Sequence, residues 1–552
     1  MSIQYSIELA VFLFCAVVIL SVIARKVAFP FPILLVLAGA GLGLAPGFPS
    51  ISIDPDVIFL GCLPPLLFSA AIRMPWHQFR ENLAPISGLA LGLVLVTAGA
   101  IGFAAHALIP GMTLAAGFAL GAIVAPTDAV AAVAIARRLN IPDRVIAILE
   151  GESLVNDSSG LVAYQFAVLA VVSGAFEWTD AGLRFLLEVG GGLGVGVLVG
   201  IFAIAVFRRM DDPVAEITFT LTLPFLTFLG AQELGFSGVL AVVAAGLSIS
   251  RRREEVFSAN SRMDTHAVLA TVEYLINGAI FLLIGVQLQS ILHGLSGWTN
   301  LELVGFAALT AGLVLGIRLL WAYPVARLVG VLIKRLPHGS YPDLNWKDHV
   351  LVGWAGMRGV VSLAAALALP LTNSAGEAFP DRSLIIFLTA AVVLVTLVVN
   401  GLSLPFIAGA FGGPGTHRSI EQEREARIAI LKAPIAEFDR RMEDEKLPLA
   451  PADVMWVRQS LAGRLAFVEG GEDPERKRQV QNRGLDLYLQ LLRVERRELH
   501  RLFRGHKLSQ GSFAKIEREI DLEERGARSQ IIDKAAALHR KLRRRGGSDR
   551  SP

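Results

Sequence analysis

Residues 148–160 read Ile-Leu-Glu-Gly-Glu-Ser-Leu-Val-Asn-Asp-Ser-Ser-Gly, placing Glu150, Glu152, Ser153, Asn156 and Asp157 in an otherwise apolar stretch, 145–173. On a helical period Glu152 and Asn156 share one face, and Ser153 and Asp157 share the next. So many oxygens cannot face hydrocarbon, and an ionisable residue at membrane depth marks a functional site by default. Carboxylate, hydroxyl and carbonyl oxygens are the ligands of a hard cation. A buried carboxylate among them can hold a cation or a proton, and not both at once. The stretch could also be a loop between two shorter apolar pieces, but removing the helix breaks the charge alternation described below.

Three further places put polar groups at depth. Val124-Ala-Pro-Thr-Asp-Ala-Val130 lies mid-way along an apolar run. Pro126 cannot donate a backbone hydrogen bond, so the helix should break and leave free carbonyls beside Thr127 and Asp128. Such a break is tolerated in a bilayer only against protein or a cavity. Taken alone, Pro-Thr-Asp fits a proline kink capped by Asp128 equally well. Gly353-Trp-Ala-Gly-Met-Arg-Gly-Val-Val-Ser362 surrounds Arg358 with glycines that weaken a helix or admit a close neighbour. A guanidinium there needs a carboxylate, and Glu152 is the expected partner. Arg318 either pairs with Glu150 or snorkels to the surface.

The elements that must position these groups follow from composition. The 552 residues are 53% hydrophobic and 18% charged, with a mean hydropathy of +0.56. Residues 1–412 hold 21 Lys+Arg and 25 Asp+Glu; residues 413–552 hold 30 and 23. That contrast predicts an all-α polytopic membrane domain, 1–412, followed by a solvated helical tail, 413–552, and excludes a wholly soluble enzyme. Apolar stretches of spanning length number thirteen: about 7–24, 29–45, 57–72, 83–109, 112–136, 145–173, 183–207, 214–232, 235–250, 266–288, 302–333, 348–370 and 383–410. Loops after odd-numbered spans carry 17 Lys+Arg and loops after even-numbered spans carry 2. By the positive-inside rule the N-terminus lies outside and the tail is cytoplasmic, as expected for a multi-pass inner-membrane protein. Cys15 and Cys62 sit in apolar runs and form no disulfide or metal framework. The first apolar run lacks a preceding basic residue and is not expected to be a cleaved signal.

Interrupted segments at spans five and twelve are seven spans apart. They suggest two inverted repeats, spans one to six against eight to thirteen, with the binding site at the midplane between them. In the tail, Leu485, Tyr488, Leu492, Leu499 and Phe503 form a stripe at helical spacing, read as bundle core or as a dimer or regulatory contact.

Ala125-Pro-Thr-Asp128, Glu150-Gly-Glu-Ser-Leu-Val-Asn-Asp157, Phe281-Leu-Leu-Ile-Gly285 and Gly356-Met-Arg-Gly359 together resemble the monovalent cation:proton antiporter-1 family, over residues 1 to about 412. The resemblance implies thirteen spans with crossed, unwound helices five and twelve, and normally a homodimer. It implies that Asp157 carries ion and proton in turn, and that Asp128, Ser153 and the Thr127 backbone complete a Na⁺ site. Asn156 would support Asp157, and Glu152 would bridge to Arg358, with Glu150 and Arg318 accessory. Span three departs from the pattern. Where some relatives have an acid, Leu66–Ile72 offers only Ser69.

Similarity to this family implies secondary active exchange of Na⁺ or Li⁺ for H⁺ between two aqueous sides, in the service of pH and sodium homeostasis. The partners expected are a monovalent cation, a proton and the bilayer, with no cofactor and no nucleic acid. Electrogenic relatives have an aspartate at the position of Asn156. An amide takes no second proton, so one H⁺ is expected per Na⁺. K⁺/H⁺ exchange by the same mechanism is the alternative, and a passive cation channel a remoter one. No nucleophile–His pair or metal set suggests an enzyme.

Overall fold

The computed structural model describes residues 3–411 apart from 28–30, 46–53, 129–131, 134–135, 137–142, 174–177, 211, 258 and 335–345, together with scattered tail residues between 428 and 523. The chain divides into two compact units, Met1–Gly415 and Thr416–Pro552. Of the stripe expected in the tail, Leu485, Tyr488 and Phe503 lie outside the described residues, and Leu492 and Leu499 are described and buried.

The first unit is all helix and loop; among the described residues the β-pairing is confined to two isolated bridges. Its main helices are α1 (Ile3–Val27), α2 (Phe31–Gly43), α3 (Pro55–Arg73), α4 (Leu93–Leu108), α5 (Leu114–Val124), α6 (Asp143–Ser173) and α7 (Trp178–Phe207). Then follow α8 (Pro213–Glu233), α9 (Gly238–Ser250), α10 (Ala259–Val286), α11 (Asn300–Lys334), α12 (Trp346–Trp354), α13 (Val360–Leu367) and α14 (Arg382–Phe411). Among the described residues eight helices are long and apolar enough to cross a membrane.

Local sequence explains the starts. Asp54 accepts from the Asp56 amide ahead of Pro55, Thr113 from Ala116, and Asp212 from Val214 and Ala215 ahead of Pro213. Each side-chain oxygen satisfies amides that the first helical turn leaves free, and proline at the first position loses no bond.

Packing in this unit rests on small residues. A Cβ on Gly39 would fall on the Leu282 carbonyl oxygen, and one on Gly285 on that of Val36, so α2 and α10 meet backbone to backbone. Along α7, Gly192, Gly196 and Gly200 lie in the same way against Ser237, Ala241 and Ser248 of the α9 region. Lipid tails are as apolar as leucine, so helices gain little by hiding from them. Close van der Waals contact and cross-helix hydrogen bonds supply the association instead.

Candidate functional site

Two helices stop in the interior. α5 ends at Val124; the Ala125 amide still donates to the Gly121 carbonyl at 3.0 Å, and Pro126, Thr127 and Asp128 run on outside the helix. Residues 355–359 separate α12 from α13. The two gaps cross as an isolated antiparallel bridge between Asp128 and Met357, in which the Asp128 amide donates to the Met357 carbonyl at 2.7 Å. Pro126 ends one helix by lacking an N–H, and Gly356 and Gly359 permit the other break.

α6 lies alongside the broken segment, and the gap is small: a Cβ on Gly160 would collide with the Pro126 ring. The Ser153 hydroxyl donates to the Thr127 carbonyl at 2.7 Å. Asn156 Nδ2 donates to Thr127 Oγ1 at 3.3 Å, and that hydroxyl donates to Glu152 Oε1 at 3.5 Å. These bonds meet the free groups left by the break. They also aim the α6 face bearing Ser153 and Asp157 at it. Asp157 is half-buried, and among the described residues its carboxylate makes no hydrogen bond or ion pair, although Asp128 and Glu152 are near enough for their charges to act on it. Among the described residues Asn156 Oδ1 is buried without a partner.

Asp128 sits where a side chain at position 359 would be, since a Cβ on Gly359 would overlap its carboxylate. That place is the N-terminus of α13, where no capping side chain of the helix's own reaches the free amides. An anion is favoured there by those amides and by the helix dipole. Asp128, Thr127, Ser153, Asn156 and Asp157 are therefore brought together around one crossing, and Glu150 is half-buried one helical turn before Leu154.

The arginines correct the expected ion pair. Glu152, fully buried, is paired with Arg318 and not with Arg358: Arg318 Nη1 lies 2.5 Å from Oε1 and Nη2 3.0 Å from Oε2. Arg318 is neither snorkelling nor paired with Glu150. It is 2% exposed, and it also donates to the carbonyls of Gly353 and Val352, both at 3.0 Å. Gly356 makes this possible, because a Cβ there would overlap the guanidinium.

Arg358 reaches the other broken end, donating from Nε to the Val124 carbonyl at 3.1 Å and from Nη1 to Gly356 at 2.8 Å. Among the described residues its Nη2 is buried without a hydrogen-bond partner. Each interrupted helix thus ends its first half on an arginine, which complements the partial negative charge of the terminal carbonyls.

Sequence reasoning missed Thr396 and Asn400. The Arg358 amide donates to Thr396 Oγ1 at 3.1 Å, and Asn400 Nδ2 donates to the Gly356 carbonyl at 3.3 Å. The signal was present: two polar residues four apart in the apolar 382–411 helix share a face. In span three, Ser69 donates to Glu273 of α10 at 3.4 Å, and Glu273 also pairs with Arg73. The carboxylate beside span three therefore comes from another helix. A cavity of about 340 Å³, bordered by Gly294, Trp298, Asp381 and Ser383, shares no residue with the crossing.

Comparisons with known proteins agree with this architecture. The family model for the transmembrane sodium/hydrogen exchanger matches residues 11–409. A Mycobacterium tuberculosis protein named as an uncharacterized Na⁺/H⁺ exchanger is 37% identical over 407 residues, 73% of this chain and 74% of its own length. A sodium, potassium, lithium and rubidium/H⁺ antiporter of Bacillus pumilus is 35% identical over 468 residues, 82% of this chain and 66% of its own. The solved structure of the sodium proton antiporter MjNhaP1 from Methanocaldococcus jannaschii shares the fold, with a TM-score of 0.58 at 20% identity over 74% of this chain and 99% of that one. On the extent of the family match and the identity of these relatives, the chain belongs to the sodium/hydrogen exchanger family.

Proposed function

We propose that this chain exchanges one Na⁺ (or Li⁺) for one H⁺ across a membrane, with the Asp157 carboxylate as the shared carrier. Family membership makes it a cation/proton antiporter and not an enzyme. The residue assignment is our reading, and one observation carries it. Asp157 has no protein partner among the described residues, yet it shares with Asp128 and Ser153 the place where two helices lie open. Asp128, the Ser153 hydroxyl and the Thr127 segment supply the further oxygens a bare cation wants, and Asn156 holds Thr127 in place.

Counting charge supports this stoichiometry. Glu150 lies two turns before Asp157 along α6 and is left out of the count; Glu152, Asp128 and Asp157 bring three negative charges to the crossing, and Arg318 and Arg358 two positive ones. The empty site is one unit negative, and either a single Na⁺ or a single H⁺ makes it neutral. Moving an uncompensated charge through low dielectric is costly, so the loaded site is the one that changes sides. Asn156 offers no second proton place. In the range where Asp157 binds protons, each unit of pH is worth about 1.4 kcal/mol, or tenfold in apparent Na⁺ affinity.

The fold supports the finer topology in the same way. We read the eight long helices, the apolar stretch Val11–Ala24 of α1, the shorter α2, α5 and α9, and the interrupted α12–α13 pair as thirteen spans in two inverted repeats, with α5 and α12 as matching breaks. The reading extends to a homodimer in a cell (inner) membrane, a cytoplasmic regulatory or dimer-stabilising tail, and a role in pH homeostasis.

The test is Na⁺ efflux from proteoliposomes at zero ΔpH. An imposed potential, worth about 2.3 kcal/mol per charge per 100 mV, should not change the rate, whereas Asn156→Asp should make it potential-sensitive. Potential-driven efflux by the native protein would refute 1:1 exchange. K⁺ stays the alternative substrate, since the name of the Bacillus pumilus relative carries potassium beside sodium, lithium and rubidium. Dequenching of a pH dye with Na⁺, Li⁺ and K⁺ in turn decides between them.

A further inference from the structure

Ahead of α4 the helix is not regular. Residues Gly88–Gly92 form a π-turn, in which backbone bonds skip one residue further and carbonyls are left open. Two side chains from other helices enter it. The Ser159 hydroxyl of α6 shares its one proton between the Asn156 carbonyl of its own helix at 3.1 Å and the Ala90 carbonyl at 3.2 Å, and Trp321 Nε1 of α11 donates to the Gly88 carbonyl at 3.3 Å. Gly92 leaves room for the indole, since a Cβ there would come within 2.8 Å of it.

These bonds meet the ion site through the helices that carry it. Ser159 is two residues beyond Asp157, about 200° round the helix, so it grips α6 from behind as Asp157 faces the crossing. Trp321 lies three residues after Arg318, on the same side of α11, and Arg318 holds Glu152 of α6. Glu152 to Arg318, Trp321 to Gly88 and Ala90 to Ser159 close a ring through α6, α11 and the π-turn. Glu152 and Ser159 are seven residues apart and so lie within about 20° of one line along α6, on the side away from Asp157; held at two heights on that side, α6 turns about its axis only if one of these bonds gives.

We propose that Ser159 and Trp321 are positioning residues for exchange, which act through the π-turn to fix the rotation of α6 and hence the direction of the Asp157 carboxylate. This rests on Asp157 as carrier. The ring does not touch the cation, so its loss should weaken binding without abolishing turnover.

The experiment compares Ser159→Ala, Trp321→Phe and the double variant with the native full chain in proteoliposomes, measuring KM for Na⁺, maximal rate, the pH profile at fixed sub-saturating Na⁺, and thermal midpoint. Each single variant should raise KM about three- to tenfold, as the loss of one hydrogen bond implies. The pH profile should move in the alkaline direction and the maximal rate stay within about twofold. The double variant should be no worse than the worse single, since either cut opens the same ring. Ser159→Thr, which keeps a hydroxyl, should restore KM. A lower thermal midpoint with unchanged KM and pH profile would make both residues packing groups and overturn the proposal, as would single effects that multiply. Asp157→Asn, assayed beside them, separates this outcome from failure of the carrier assignment. If that variant still exchanges, the underlying reading has failed.

Discussion

The pairing of Glu152 with Arg318 can be tested by cutting the bridge from either end. Arg318→Met removes a charge, two bonds to the carboxylate at 2.5 and 3.0 Å, and two bonds to the α12 carbonyls at 3.0 Å, while leaving Glu152 with no exposed surface. Removing one member of a buried ion pair strands the other, at a cost of about 3–5 kcal/mol. An independent figure agrees: unit charges about 4 Å apart attract by roughly 4 kcal/mol at an effective dielectric near 20. Glu152→Gln should cost a similar amount by stranding Arg318. The double variant should recover much of it, because neither charge is then left alone. The coupling should be about 3 kcal/mol for Glu152 with Arg318 and under about 1 kcal/mol for Glu152 with Arg358, which share no bond. For a membrane unit of some 400 residues, a kilocalorie moves a thermal midpoint by roughly one degree. Single variants should therefore melt about 3–5 °C lower, and the double closer to the native protein. A coupling with Arg358 larger than that with Arg318, or an Arg318→Met protein as stable as the native one, would refute the arrangement.

Other expectations follow from the same geometry. Asp157→Asn should abolish cation-dependent proton movement in vesicles, and the native protein's apparent Na⁺ affinity should fall about tenfold per pH unit once protons compete; a variant with normal exchange ends the carrier assignment. Gly359→Ala places a methyl on the Asp128 carboxylate, so the transport rate should drop about tenfold or more as Asp128 is displaced, and unchanged kinetics would show that Asp128 need not sit at the α13 terminus. Asp381, in the loop before α14, has a left-handed backbone (φ 53°), a buried carboxylate oxygen without a hydrogen-bond partner, and a carboxyl pushed up by burial. A raised acid pKa means that folding disfavours the ionised form, so the penalty is absent in acid and grows as pH rises through the folded value. Asp381→Asn, which tolerates that backbone, should raise the thermal midpoint at pH 8 more than at pH 4, and an equal gain at both would place the effect in the backbone alone.

Much of this protein is legible without coordinates, and the reason is solvent. A bilayer offers no hydrogen-bond partners, so a spanning segment must be apolar and any exception stands out against its neighbours. Glu152, Ser153, Asn156 and Asp157 are such exceptions, and Pro126 and the glycines about Arg358 announce the two breaks on covalent grounds alone. All-helical architecture follows directly from the hydropathy, and the tail separates by charge density. What spacing could not supply is which helix lies next to which. Glu152 could see two arginines in the sequence, and only the approach of α11, admitted by the missing side chain of Gly356, decides for Arg318. The same holds for Thr396 and Asn400 at the unwound strand, Glu273 beside Ser69, and Ser159 and Trp321 in the π-turn. Periodicity sorts residues onto the faces of one helix. A bond between helices depends on their separation and rotation, which are set by close packing of the whole bundle and leave no mark on any single segment.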